Sequence, residues 1–271
     1  MGRRTRFGIL VYAAAVAAAV VVVQDGLQAQ GRGRGAAQPP ATGRAAAPID
    51  LTGNWTAVIT EDWRWRMVTP PKGDYQSIPI TAAAQKVGDA WDPAKDEAAS
   101  EECKAYGAPS LLRLPGRLRI SWQDENTLAI ETDTGQQTRL LRFDRAPPAD
   151  TAPSRQGYSR ADWRFRSARG APIVVVGLGM APGRPAPSRT LEATTTHLLP
   201  GYLRKNGIPY SGETTVTEYF DRFTEPDGTE WFTVTTIVTD PVYLGVPFVT
   251  TTDFREERDG SKWDPRPCSA R

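Results

Sequence analysis

The sequence predicts a mainly β fold, an antiparallel barrel or sandwich of roughly ten strands interrupted by two short helices. Three observations carry this. Apolar and polar residues alternate with period two through most of residues 49–271, as in strands with one buried face. The links between these runs are short and rich in turn formers. One stretch, between Thr81 and Tyr106, carries apolar residues at helical spacing instead.

Residues 55–60 make the first expected strand. Trp63-Arg64-Trp65-Arg66-Met67 alternates again, which predicts a strand with Trp63, Trp65 and Met67 on one face and Arg64 and Arg66 on the other. In the helical stretch Ile80, Ala84, Val87 and Trp91 fall on one stripe, with Thr81 as N-cap. Asp92-Pro93 then supplies a cap and a first-turn proline for a second helix over 94–105. The pair is expected to cover one mouth of the barrel. Runs 117–122, 127–132 and 137–143 read as a meander, joined through Gln123-Asp124-Glu125-Asn126 and Asp133-Thr134-Gly135. Strands are expected at 162–166, 173–178, 189–198 and 214–223. Pro226-Asp227-Gly228 turns the chain into 231–239, and 248–256 is the last strand. Asp162-Trp163-Arg164-Phe165-Arg166 echoes Asp62-Trp63-Arg64-Trp65-Arg66, which reads as shared strand logic rather than an internal repeat.

The first residues belong to targeting rather than to the fold. Arg3, Arg4 and Arg6 precede an apolar run from Phe7 to Val23, and Leu27-Gln28-Ala29 offers a cleavage end. Residues 1–29 are therefore expected to be a signal peptide or, uncleaved, an N-terminal anchor and the sole membrane contact. Residues 30–48 are Gly, Ala, Pro and Arg-rich without a bulky apolar side chain, which predicts a flexible linker ahead of a single domain at 49–271. The whole chain is net +2, but residues 1–48 hold six Arg against one Asp, so the folded part is net −3. Nucleic-acid binding thereby loses its electrostatic argument. A periplasmic or secreted location is expected.

Composition excludes further classes. A single His leaves no His-rich zinc site, and two Cys leave no zinc ribbon or multi-disulfide scaffold. With no Asp-rich calcium loop either, neither a metal nor another cofactor is expected. In an oxidising compartment Cys103 and Cys268 are expected to pair and to pin the segment 263–271 onto the helices.

The densest polar and aromatic cluster runs from His197 through Tyr202, Arg204, Lys205 and Tyr210 to Ser211. Pro200-Gly201 and Asn206-Gly207 mark two turns, predicting a structured loop on a rigid scaffold. Ser211 lacks a Gly-x-Ser-x-Gly frame. Glu61, Asp62, Glu218, Asp221 and Glu225 are read chiefly as partners for Arg64, Arg66, Arg204 and Arg222.

Two family resemblances bear on these residues. Gly53-Asn54-Trp55 resembles the Gly-x-Trp signature of lipocalins, whose Trp packs across the closed base of an eight-stranded barrel holding a small apolar ligand. The run 216–223, the strand at 231–239, Asp240-Pro241, Tyr243 and Pro247-Phe248 are similar to the C-terminal pattern of a large group of uncharacterised exported bacterial β-proteins. Segments 63–75 and 200–211 resemble hallmarks of a narrower subgroup, and the likeness spans most of 50–271. It implies fold and compartment and carries no activity. The combined expectation is an antiparallel lipocalin-like β-barrel of about 8–10 strands with a short two-helix insertion.

The leading functional expectation is binding of a small, largely apolar ligand. Trp63, Trp65, Trp163 and Phe165 are the expected walls, and His197, Tyr202, Arg204 and Tyr210 the polar contacts at the mouth. An anionic head group would favour Arg204 or Lys205. A second reading is a barrel enzyme of hydratase, isomerase or hydrolase type, with His197 or a carboxylate as base and a Tyr as acid. A third is an assembly partner with a filled barrel that docks through its Pro/Tyr-rich loop.

Overall fold

The computed structural model describes residues 41–143, 146–166, 173–176, 179–182 and 188–271, with side chains described outside 165–188. The expected signal segment 1–29 and the linker up to residue 40 lie outside the described residues.

The chain runs through β1 (Gly53–Val58), α1 (Trp63–Arg66), α2 (Ala82–Asp89), α3 (Pro93–Ala98), a 3-10 helix (Glu102–Tyr106) and α4 (Ala108–Leu111). It continues with β2 (Arg117–Asp124), β3 (Thr127–Thr132), β4 (Thr138–Phe143), β5 (Tyr158–Arg166), β6 (Ile173–Val176), β7 (Gly179–Pro182) and β8 (Ser188–Thr196). Last come β9 (Gly201–Arg204), β10 (Ile208–Tyr210), β11 (Thr215–Thr224), β12 (Glu230–Thr239) and β13 (Phe248–Glu257).

Nine strands close into a barrel in the order β1-β13-β12-β11-β8-β5-β4-β3-β2, with β1 pairing β2 to shut the ring. Neighbours in the ring follow one another in sequence, so the wall is a meander. An alternating up-and-down ring closes only with an even number of strands. Nine strands force one seam, and it falls between β4 and β5, which run parallel (Leu141↔Ser159 to Phe143↔Ala161). This corrects the wholly antiparallel sheet that the alternation predicts. Parallel neighbours need a long crossover, and the described residues 146–157 belong to it.

The predicted alternation places the core. On β13 Phe248, Thr250, Thr252 and Phe254 are buried, and on β12 Phe232, Val234, Thr236 and Val238. At the end holding the β11–β12 turn, Phe232 packs edge-on against Trp55 (centroids 4.7 Å apart), stacks on Phe254 (4.8 Å) and meets Phe220. Each such buried ring contributes roughly 1.5–3 kcal/mol of transfer free energy. Beyond this cluster the interior turns polar, with Arg139 of β4, Ser159 of β5, Thr195 of β8 and Glu218 of β11 all buried, before Val216, Val238 and Phe248 join the apolar packing under the hairpin.

Each end is covered. The folded unit begins at Ala41 rather than at Ile49, so the expected linker loses its last residues to the barrel. There Gly43 donates its N–H to Asn126 Oδ1 (2.7 Å) and its carbonyl accepts from Trp163 Nε1 (2.7 Å). A Cβ on Gly43 would sit 2.4 Å from the Phe143 ring, a close approach only glycine permits and one invisible in a composition of Gly, Ala and Pro. The opposite mouth carries the helices and a β9–β10 hairpin, where the sequence predicts a loop. Both predicted caps form: Thr81 Oγ1 accepts from Ala84 N (3.2 Å) and Asp92 Oδ1 from Ala94 N (3.1 Å). The second helix stops at Ala98 rather than 105 and resumes as the 3-10 turn. Cys103 and Cys268 form the expected disulfide, with Cα atoms 5.1 Å apart.

The expected strand at 63–67 is not there. Asp62 adopts a left-handed φ of 52°, and its carbonyl accepts from Trp65 N and Arg66 N to start the single helical turn α1. Trp63 and Met67 stand in solvent, 67% and 56% exposed, while Arg66 turns inward. Since β5 is a strand and α1 a helix, the two Asp-Trp-Arg echoes are not structural repeats.

Candidate functional site

The helical mouth builds a cleft of about 410 Å3. One wall starts at α1. Asp62 aims Trp65 into the cleft, where its indole N–H donates to Asp74 Oδ2 (3.0 Å). The ring is flanked by two guanidiniums, Arg64 at 5.3 Å and Arg204 at 5.2 Å from its centroid. Met67 and Val68 continue this wall into solvent, both more than half exposed.

The floor is cationic. Arg66 Nε donates to the Arg113 carbonyl (2.8 Å) and Nη2 to Thr252 Oγ1 (3.2 Å). Arg113 Nη2 pairs with Asp62 Oδ2 (2.8 Å). Arg204 Nη1 donates to the carbonyls of Gln76 (3.0 Å) and Asp74 (3.3 Å). All three side chains are more than nine-tenths buried. Burial, reinforced by the charge on Arg113, lowers Arg66 and Arg204 from the ordinary arginine value to about 10 each. Both remain cationic at neutral pH.

The facing wall is Tyr106 and the C-terminal segment. Ser269 N donates to Tyr106 Oη (3.1 Å), and Lys205 lies over the Tyr106 ring while its Nζ donates to the main-chain oxygen of Arg271. Arg266 N donates to the Asp133 carbonyl and Gly135 N to the Arg266 carbonyl, a short parallel bridge beside the disulfide. Arg266, Pro267, Ser269 and Arg271 therefore line the cleft because residue 268 is tied down.

The expected site residues scatter. Trp65 and Arg204 line the cleft, and Lys205 joins them. Trp63 points into solvent. Trp163 stacks on Phe143 at the opposite end of the barrel (5.2 Å). The side chain of Phe165 lies outside the described residues. His197 holds a left-handed φ of 57°, and its Nδ1 meets the Thr196 hydroxyl (2.8 Å) rather than an acid. Tyr202 Oη donates to Asp96 Oδ2 (3.0 Å); burial and the nearby Asp96 charge push its phenol up to about 12. Tyr210 is wholly buried among Leu203, Ile208 and Val216, and burial raises its phenol too. Tyr202 anchors the hairpin to α3, and Tyr210 anchors it to the barrel strands.

The sequence reading missed Tyr106, Arg113, Arg66 and the tail as partners. Arg66 was legible as a residue but was assigned to a strand face; Arg113 carries no local signal, because α4 leads into it from elsewhere. Of the expected carboxylates, Glu218 pairs with Arg139 and Asp62 with Arg113, neither an expected partner, while Glu61 and Asp221 accept from Thr251 and Thr190; Arg64 and Arg222 pair with Asp74 and Glu230 instead.

Chemically the cleft can bind and orient. Among its hydroxyls, Ser110 is spent on the carbonyls of Ala105 and Gly107 and Thr134 on that of Pro115, and no carboxylate side chain lines it among the described residues. No family model, curated protein or solved structure matches the chain.

Proposed function

We propose that this is an exported, lipocalin-like binding protein that holds a small ligand with a largely apolar body in the capped mouth of the barrel. The observation that carries this is the cleft of about 410 Å3 beside an apolar lip, Trp65, Met67 and Val68, left open to solvent. Ligand sites are concavities of this order, apolar with a few placed polar groups. The space inside the barrel wall is taken by Trp55, Phe220, Phe232 and Phe254 at one end and by Arg139 and Glu218 nearer the other. The ligand is therefore assigned to the mouth rather than the interior.

Two features support the lipocalin-like part of the reading. Trp55 of the Gly53-Asn54-Trp55 run lies in the base of the barrel on the first strand, its indole donating to the Leu51 carbonyl (3.0 Å). That base is closed by the turn at Gly43. Export is supported by the Cys103–Cys268 bond, which suits an oxidising compartment.

The test is fluorescence titration with an uncharged apolar probe, N-phenyl-1-naphthylamine, on wild type and on Trp65→Ala and Met67→Ser variants. Saturable wild-type binding that weakens at least about tenfold in Trp65→Ala is expected. A wild type that does not bind the probe sinks the reading.

A further inference from the structure

We propose that the floor of this cleft is an oxyanion subsite, so that the ligand is an amphiphile whose carboxylate or phosphate head sits between Arg113 and Arg204. The inference rests on the cleft being the ligand site and names the chemistry of what enters it.

The guanidiniums of Arg113 and Arg204 are each more than nine-tenths buried and each incompletely used. Arg113 Nη1 and Arg204 Nη2 have no hydrogen-bond partner among the described residues. A buried donor left unmade is costly, and more so when charged, so such groups persist where a ligand completes them. Both residues line the cleft.

The charge balance points the same way. Arg66, Arg113 and Arg204 crowd together, and among the described residues Asp62 is the one carboxylate within ion-pair reach of any of them. Asp74 acts on Arg204 from beyond ion-pair reach; its Oδ2 is taken by Arg64 and the Trp65 indole, and its Oδ1 has no partner among the described residues. Glu61 and Asp253 act on Arg66 from a distance, and each accepts from threonine hydroxyls, Thr251 and Thr233 respectively. Three cations facing one carboxylate under an apolar rim leave positive charge to be met by something that enters the cleft. Guanidinium groups recognise planar oxyanions through paired N–H donors, and the two unpartnered donors come from two such groups. The apolar lip would then take the chain of the same molecule.

The test uses the intact oxidised protein and three probes of equal chain length, decan-1-ol, decanoate and decyl phosphate, each competing with N-phenyl-1-naphthylamine. The anionic probes are expected to displace it at about tenfold lower concentration than the alcohol. The stronger of the two identifies the head as carboxylate or phosphate. Arg204→Gln is expected to collapse that preference towards unity, with circular dichroism confirming the fold. Sodium sulfate, which should displace decanoate more than decanol from the wild type, gives the same answer without a substitution. Equal affinity of wild type for alcohol and anions, or a folded Arg204→Gln variant with its preference intact, overturns the subsite and leaves the apolar cleft standing. Failure of the naphthylamine itself to bind overturns both readings.

Discussion

Arg139 and Glu218 meet inside the barrel as a two-pronged ion pair, Nη1 to Oε1 at 2.8 Å and Nη2 to Oε2 at 2.6 Å, with neither side chain exposed. Arg139 Nη2 also donates to the Thr195 hydroxyl (3.2 Å), which shares a hydrogen bond with Ser159 (2.7 Å). The network ties β4, β5, β8 and β11 together across the parallel seam.

Breaking this pair from one side leaves a buried charge without its counter-ion. Glu218→Gln should therefore lower stability by about 3–5 kcal/mol, whereas the joint change Arg139→Met with Glu218→Leu should recover most of the loss. Urea unfolding of the single and the double variant measures this. A Glu218→Gln protein as stable as wild type would show that the pair is not coupled to the fold.

The disulfide closes a loop of 165 residues in sequence separation. Replacing both cysteines by serine should cost roughly 2–5 kcal/mol of stability. It should also weaken naphthylamine binding, because Pro267 and Ser269 lose their anchor while the bridge at Arg266 remains. Unfolding and probe titration with and without reductant separate the two effects. Unchanged binding after reduction would show that the tail does not depend on the bond.

Asp240 sets the acid limit. Burial opposes its charge, but the N–H of Ser211, the Thr214 hydroxyl and the N–H groups of Tyr243 and Val242 together hold the carboxyl below the ordinary carboxylate range. A depressed carboxyl lends its stability in full above the unfolded value, near 3.8, and loses it as pH falls through the lower folded value. Thermal unfolding should thus steepen its pH dependence below about pH 4, and Asp240→Asn should flatten that slope. The variant should also be less stable at pH 7, since two of the donors would face an amide N–H.

Gly135 supports the cleft from beneath. Its φ of +78° and the Tyr106 ring, 2.2 Å from where a Cβ would stand, leave no room for a side chain. Gly135→Ala should destabilise by about 1–3 kcal/mol through overpacking, with further strain from the backbone. It should also lower probe affinity by displacing Tyr106. Normal affinity in a destabilised Gly135→Ala protein would separate Tyr106 from binding.

Much of the barrel was readable because its strands bury one face. The runs around Phe220, Phe232 and Phe254 alternate cleanly, and Thr81 and Asp92-Pro93 announce their helices. The Trp63–Met67 run misled because a single helical turn is too short to show a 3.6-residue period, so period two passes unchallenged. The buried ion pair had a signal that went unused: Arg139 shares a face with Leu141 and Phe143, and Glu218 with Val216 and Phe220, so each is a charge at an inward position. The cleft had none. Trp65, Tyr106, Arg113, Arg204 and Arg266 come from five separate segments, and only the closed ring and the disulfide bring them together.

The odd strand number also fixes where the wall is weakest. Of the nine ladders, the β4–β5 seam carries three paired positions and the adjoining β5–β8 ladder nine. Parallel pairing is also slightly weaker per residue. Local breathing of the cylinder should therefore start between Phe143 and Ala161, where amide protons on β4 exchange with solvent sooner than those of β12 and β13 on the far side. The barrel is a cylinder in cross-section and, in its motions, a sheet with a line along which it unrolls.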